Sequence, residues 1–232
     1  MKAAPSALRS RVLPATAAAA VMALIAGGAW QGYEFATSQP ITRVIFAGDT
    51  TKLARSDLEA FAQRVQGASA SNASLAAVRE AARRVPWVRD AAVRRRFPDA
   101  VEVTFETHEA LARWGDASLL STRGEVFTGG YAGFLPRFKG PEGSALEMAR
   151  EYPALVSAVK PLASAIIEVR LSARGAWLVV LDSGHSLDLG RGDIHSRLAR
   201  FVAAWPKLAA QGMPAQHADL RYANGFAMGK QK

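Results

Sequence analysis

From Val12 to Tyr33 the chain carries no charged side chain, and this run constrains everything that follows it. A bilayer core of about 30 Å is crossed by roughly 20 mostly apolar helical residues, so the run is long enough to span one. It is rich in alanine, from Ala17 to Ala20, with Val21, Met22, Leu24 and Ile25 as its strong hydrophobes. Lys2, Arg9 and Arg11 precede the run and Glu34 is the first charge after it. The positive-inside rule then leaves the amino terminus in the cytoplasm and exports the remainder. Pro14 falls near the cytoplasmic end, where a helix tolerates it, and Trp30 and Tyr33 suit an interfacial aromatic belt. The expected layout is a cytoplasmic segment 1–11, a single transmembrane helix 12–33 and a polar linker 34–40. A cleaved secretory signal is the competing reading, because Ala26 to Ala29 offer small residues to a signal peptidase. The run is longer than a usual signal core, which favours the uncleaved anchor.

What lies beyond it is long enough, within 232 residues, for one or two small domains, and half of all residues are hydrophobic. There is no cysteine, which excludes a disulfide framework, a thiol nucleophile and a Cys-based zinc site. The formal charge of +9 raises the question of nucleic acid. Arg83, Arg84, Arg89, Arg94, Arg95 and Arg96 form no tail, however, but scatter through a helix end and a strand. Export also removes nucleic acid as a partner. They read as a solvated basic face, with weak attraction to anionic lipid headgroups as the alternative.

Hydrophobic patterning gives an α+β fold. Ile41 to Phe46 predicts a strand, closed by Gly48-Asp49. Ser56-Asp57-Leu58-Glu59 resembles a helix start, with Leu58, Phe61, Ala62 and Val65 on one face. Gly67 to Ser74 reads as a small-residue loop, and a second helix with Leu75, Val78 and Ala82 on one side stops before Pro86. Ala91 to Phe97 predicts a strand, Pro98-Asp99 a turn, and Val101, Val103 and Phe105 the apolar face of another strand. Strand, helix, helix, strand, strand is a two-layer unit in which Trp87 and Phe105 are expected to hold the helices on the sheet. Further on, short strands near Leu119 and Val126 lead into a Gly- and Pro-rich loop, Gly129 to Gly143, and a helix from Ser144 towards Lys160. Ile167 to Leu171, Trp177 to Leu181 and His185 to Leu189 predict a meandering antiparallel sheet with turns at Arg174-Gly175 and Ser183-Gly184. Asp193 caps a helix carrying Ile194, Leu198, Phe201, Val202 and Trp205, with Pro206 as its expected stop.

No pattern that carries catalysis emerges. His108, His185, His195 and His217 show no HExxH and no paired ligand spacing, so no metal site and no cofactor are expected. There is no G-x-S-x-G elbow. Gly225 to Lys230 has one residue too few for a phosphate loop and opens no helix, and Arg191-Gly192-Asp193 is better explained as a helix start than as an adhesion tripeptide. Carboxylates are sparse and unpaired, against a glycosidase. A non-enzymatic scaffold or interaction protein fits; an exported enzyme is the poorer reading.

Val85-Pro86-Trp87-Val88-Arg89-Asp90-Ala91-Ala92-Val93-Arg94-Arg95-Arg96-Phe97-Pro98-Asp99, with Ala112-Arg113-Trp114 downstream, resembles the signature of the FtsQ/DivIB family of cell-division proteins. Leu189 to Asp193, Arg197 to Val202 and Asp219 to Ala227 resemble that family's second, β-rich domain. The resemblance implies a POTRA domain at 41–109 and an FtsQ-type β domain at 110–232. It implies a divisome scaffold of the inner membrane, largely periplasmic and septal, that binds FtsB and FtsL and has no small-molecule substrate. The contact it implies is a partner strand added to an exposed last strand at Leu220 to Met228. Leu220, Arg221, Tyr222, Gly225 and Phe226 are its implied binding residues, with Arg174 at a nearby turn. A POTRA-bearing assembly factor for outer-membrane proteins is the alternative, and it would carry repeated POTRA units or a barrel.

Overall fold

The computed structural model describes residues 15–38, 40–66, 72–210 and 216–229. The expected cytoplasmic segment with Lys2, Arg9 and Arg11, the first residues of the expected span (12–14) and most of the small-residue loop (67–71) lie outside the described residues.

The uncharged run does form a helix, α1 (Ala15–Ser38), and Val21, Met22, Leu24, Ile25, Trp30 and Tyr33 are all exposed on it. Its 24 residues extend about 36 Å at 1.5 Å per residue. Length is therefore sufficient. Among the described residues no helix is long and apolar enough to cross a membrane. Alanine and glycine fill much of α1 and contribute little transfer free energy compared with leucine or isoleucine.

The chain divides into two compact units. The first comprises Met1–Thr50, Ala54–Arg84 and Asp90–Phe105. In it β1 (Arg43–Ala47) is followed by α2 (Arg55–Val65), α3 (Asn72–Ala82), β2 (Val88–Arg96) and β3 (Ala100–Thr107). The sheet order is β1-β3-β2, with β1 parallel to β3 in the register Arg43 to Ala100. The alternation of β3 puts Val101, Val103 and Phe105 into the core. Phe46, Phe61 and Phe105 meet there with ring centroids 5.8–6.2 Å apart, joining strand to helix. Arg79 of α3 and Arg83 just beyond it clamp Asp90 of β2 at 2.8 and 3.0 Å. The Arg79 hydrogen bonds, then that of Arg83 and the Ala91 amide, hold the Asp90 carboxyl well below the usual carboxylate range.

The second unit comprises Thr51–Leu53, Val85–Arg89 and Glu106–Lys232. It contains β4 (Ala110–Trp114), β5 (Ser118–Ser121), β6 (Val126–Phe127), β7 (Arg137–Lys139), α4 (Ala145–Val159) and a 3-10 turn at Lys160–Leu162. Then come β8 (Ile166–Leu171), β9 (Trp177–Leu181), β10 (Ser186–Gly190), α5 (Ile194–Ala210), β11 (His217–Asp219) and β12 (Ala227–Gly229). One nine-stranded sheet runs β12-β11-β10-β9-β8-β7-β4-β5-β6. Met148, Leu155 and Val159 of α4 and Ile194, Leu198 and Phe201 of α5 cover one face, over Phe138, Val169, Trp177, Val179, Leu187 and Leu189.

Three expectations are corrected. The sheet is mixed, not a purely antiparallel meander, because β4–β7, β7–β8 and β10–β11 are parallel. The Gly- and Pro-rich loop hides β7, whose Phe138 is fully buried and whose three residues join the two halves of the sheet. Helix α5 runs through Pro206 to Ala210. The proline forfeits its bond to the Val202 carbonyl and crowds it, while Leu198 and Phe201 keep the helix face buried. Trp87 itself belongs to the second unit. It packs at 5.1 Å on Phe127 and 6.2 Å on Tyr131 in the second unit, its indole N–H donating to Gly130 O at 3.2 Å. Gly129 has no side chain because a Cβ there would lie 2.4 Å from the indole nitrogen. Phe105 does act as expected.

Candidate functional site

Strand β12 is one of the two terminal strands of the large sheet, the other being β6. It pairs antiparallel with β11 in the register His217–Gly229, Ala218–Met228 and Asp219–Ala227. Its other side has no neighbouring strand among the described residues. Ala218 is buried, so Met228 beside it leans on the core, while Ala227 and Gly229 are exposed.

The expected binding strand over Leu220 to Met228 is shorter than the sequence suggested. Only Ala227–Gly229 is strand; the residues before it form the connection from β11. Leu220 prolongs β11, its N–H donating to Asp188 O at 2.8 Å, and its side chain is buried in the core. Phe226 is half-buried, edge-on to Phe201 at 5.3 Å. Gly225 has a negative φ and open space where a Cβ would go, so neither torsion nor packing demands glycine there. Arg221 and Tyr222 are exposed, Tyr222 at 56%. Arg200 reaches from α5 to the Ala223 carbonyl and ties the connection down.

Arg221 is already engaged within the chain. Its guanidinium grips Asp219 at 2.6 and 2.8 Å and lies 3.5 Å from Asp188. The Asp219 hydrogen bonds, with the charges of Asp188 and Asp219, raise the Arg221 pKa above the ordinary arginine value, and Arg221 in turn lowers that of Asp219. Gly190 makes the arrangement possible: it has φ +66°, and a Cβ there would meet Arg221 Cγ at 2.8 Å. Arg197 supports the same corner, donating to the Leu189 and Arg191 carbonyls, both at 2.7 Å. Asp188, Asp219, Gly190 and Arg197 were missed as site residues. The available signal was weak: Asp188 and Asp219 are the only carboxylates of β10 and β11, and only their register sets them side by side.

Arg174 is exposed in the turn between β8 and β9, at the same end of the sheet as Arg221 by register. At this end of the sheet an open groove of about 500 Å³ is lined by Lys139, Arg170, Ser172, Trp177, Leu178 and Asp188. Arg170 pairs with Glu168 and lowers its pKa. The structure thus places Arg174, Leu220, Arg221 and Tyr222 at one end of the sheet, Arg174 by the central strands β8 and β9 and the other three beside its β12 edge, with Leu220 buried, and it carries Phe226 back against the core. Among the described residues no group of His, Asp or Glu is placed to hold a metal.

Residues 112–221 match the family described as cell division protein FtsQ/DivIB, C-terminal, and residues 39–106 match the POTRA domain, FtsQ-type. The chain is 34% identical over 191 residues to a cell division protein FtsQ from Neisseria meningitidis, covering 82% of this chain and 81% of that protein. It is 31% identical over 221 residues to one from Xanthomonas campestris, covering 94% and 80%. A third, from Burkholderia pseudomallei, is 42% identical over 158 residues, which span 65% of this chain and 63% of that relative's length.

Proposed function

The chain belongs to the FtsQ/DivIB family of cell-division proteins, and on that premise we propose that it is a non-enzymatic divisome scaffold that binds FtsB and FtsL at the septum. The observation that carries the reading is β12, an uncapped edge strand flanked by the exposed side chains of Arg221 and Tyr222. Open edges invite pairing, and proteins usually blunt them. A partner strand laid along β12 would complete the sheet by β-augmentation. Three residues give few main-chain hydrogen bonds, each worth about 0.5–1.5 kcal/mol net. Side chains must therefore supply much of the affinity. Tyr222 offers a rigid aromatic contact, and Arg174 a cation without an assigned carboxylate among the described residues.

On this reading α1 and the residues before it hold the chain at the inner membrane, amino terminus in the cytoplasm and the two folded units in the periplasm. The support is that Val21, Met22, Leu24 and Ile25 are exposed along a helix with Trp30 and Tyr33 towards its end.

Because the chain has no cysteine, the edge can be tested by pairing single cysteines. Disulfides form only between Cα atoms about 4.4–6.8 Å apart. Ala227→Cys should cross-link to a cysteine series along FtsB with a period of two, and Val126→Cys on the opposite edge strand should not. Cross-links from Val126→Cys alone would assign the partner to β6 and overturn the proposed site.

A further inference from the structure

The turn between β2 and β3, Phe97 to Asp99, is tethered close to the end of α1. The Thr42 N–H donates to Asp99 O at 2.9 Å, and Arg43 pairs with the Asp99 carboxylate at 2.9 Å. Thr42 follows Ser38, the last residue of α1, by four residues. At no more than 3.6 Å per residue, the bonded backbone lies within about 14 Å of the helix end. Covalent length fixes this proximity.

The same turn carries side chains that a water-facing loop does not need. Phe97 is 68% exposed. The Arg95 guanidinium lies over its ring, 4.3 Å from the centroid. Arg94 and Arg96 are exposed beside it, on the other side of β2. Arg96 is paired with Glu102, and Arg43 with Asp99. Arg94 and Arg95 have no carboxylate partner among the described residues, and Nε and Nη2 of Arg95 are shielded without an acceptor. A cluster of guanidinium groups short of anions, around an exposed aromatic ring and next to the end of an apolar helix, matches an anionic lipid surface. Guanidinium forks fit phosphate oxygens, and aromatic rings settle at the headgroup level. Screening confines such attraction to about 8 Å at physiological salt, so only a surface as near as the tether allows can use it.

We propose that the β2–β3 tip is a lipid-docking surface, with Phe97 entering the headgroup boundary, Arg94 contacting anionic phosphates and Arg95, held over the Phe97 ring, adding its positive charge to the surface. The proposal rests on the reading of α1 as a membrane anchor, and its test separates the two. Single cysteines at Phe97, at Leu24 in α1 and at Ser56 (exposed at the start of α2, beyond the far end of β1) take a nitroxide without background. At position 97 the label replaces one apolar side chain by another. The full chain is reconstituted in phosphatidylcholine vesicles with or without phosphatidylglycerol, and collisions with oxygen are compared with those of a water-soluble nickel chelate. The expected result is Leu24 in the lipid and Ser56 in water in both vesicles, with Phe97 moving to the lipid boundary only when phosphatidylglycerol is present. An arginine near an anionic surface is worth about fivefold in partitioning, so the Arg94→Glu, Arg95→Glu background should lower the docked ratio at least about 25-fold. A Phe97 label that stays aqueous while Leu24 is buried overturns the docking and leaves the anchor intact. Aqueous labels at both positions overturn both. A Phe97 label protected only after an acidic protein partner is added overturns the lipid assignment in favour of a protein one.

Discussion

Trp87 combines burial with a backbone conformation that a bulky side chain avoids, and the two can be separated by substitution. Its φ is +71°, a region that costs such a residue about 1–3 kcal/mol. The surroundings hold it there: its N–H donates to Thr128 O at 3.1 Å, its carbonyl accepts from the His108 N–H at 2.9 Å, and it is 7% exposed. Trp87→Ala leaves the torsion in place and opens a cavity, for about 3–5 kcal/mol. The lost indole bond to Gly130 adds up to about 1 kcal/mol more. Trp87→Gly loses the same ring but relieves the torsion. At ordinary positions glycine is less stable than alanine by about 0.5–1 kcal/mol; here the order should invert, glycine being more stable by about 1 kcal/mol. With a urea slope of about 2 kcal/mol per M, the two midpoints differ by about 0.5 M, which circular dichroism resolves. An alanine variant more stable than the glycine variant refutes the strain argument. A loss below about 1 kcal/mol in both refutes the burial argument.

Two further substitutions at the edge should behave differently. Arg221→Glu sets a third carboxylate against Asp219 and Asp188, so the melting temperature should fall at low ionic strength and recover with salt; melts that match wild type at low salt would refute the network. Tyr222→Ala, by contrast, should stay within about 0.5 kcal/mol of wild-type stability while weakening FtsB binding about tenfold by titration calorimetry, and unchanged affinity would remove Tyr222 from the site. His108 is buried, stacked on Phe127 at 4.2 Å, with Nδ1 3.3 Å from Glu125. Burial lowers its pKa; Glu125 and Glu106 oppose that shift, and Arg89 and Arg123 add to it. The folded protein therefore prefers the neutral ring: that stability is complete above the unfolded histidine value of about 6.5 and is lost as pH falls through the lower folded value. His108→Phe should flatten the acid limb of stability against pH below about 6.5, whereas parallel curves would show that the ring charges freely in the fold.

Where a segment's own periodicity decided its fate, the sequence was readable. Val101, Val103 and Phe105 alternate because one side of β3 faces helices, and Leu198 and Phe201 repeat because α5 lies on a sheet. Where a long-range partner decided it, local reasoning failed. Arg137–Lys139 is too short for a pattern and is strand only because β4 and β8 flank it. Pro206 reads as a stop, yet the burial of the α5 face outweighs one lost hydrogen bond. Trp87 lies among residues of the first unit in sequence, but its ring is claimed by Phe127 and Tyr131, 40 and more residues later. At the candidate site, exposure of Arg221 and Tyr222 was legible from the resemblance. The engagement of Arg221 by Asp188 was not, because it needs the β10–β11 register.

That register also makes the edge depend on everything that precedes it. β11 lies parallel to β10, so a crossover through α5 must separate them, and among the described residues β12 pairs with β11 alone. The edge thus stands only on a sheet in which β10, α5 and β11 are all in place. A chain whose β10 or α5 is misplaced has no β12 to offer, however intact residues 217–229 are in sequence. Partner capture through this strand would act as a completion signal, admitting to the assembly only subunits whose sheet has closed up behind it.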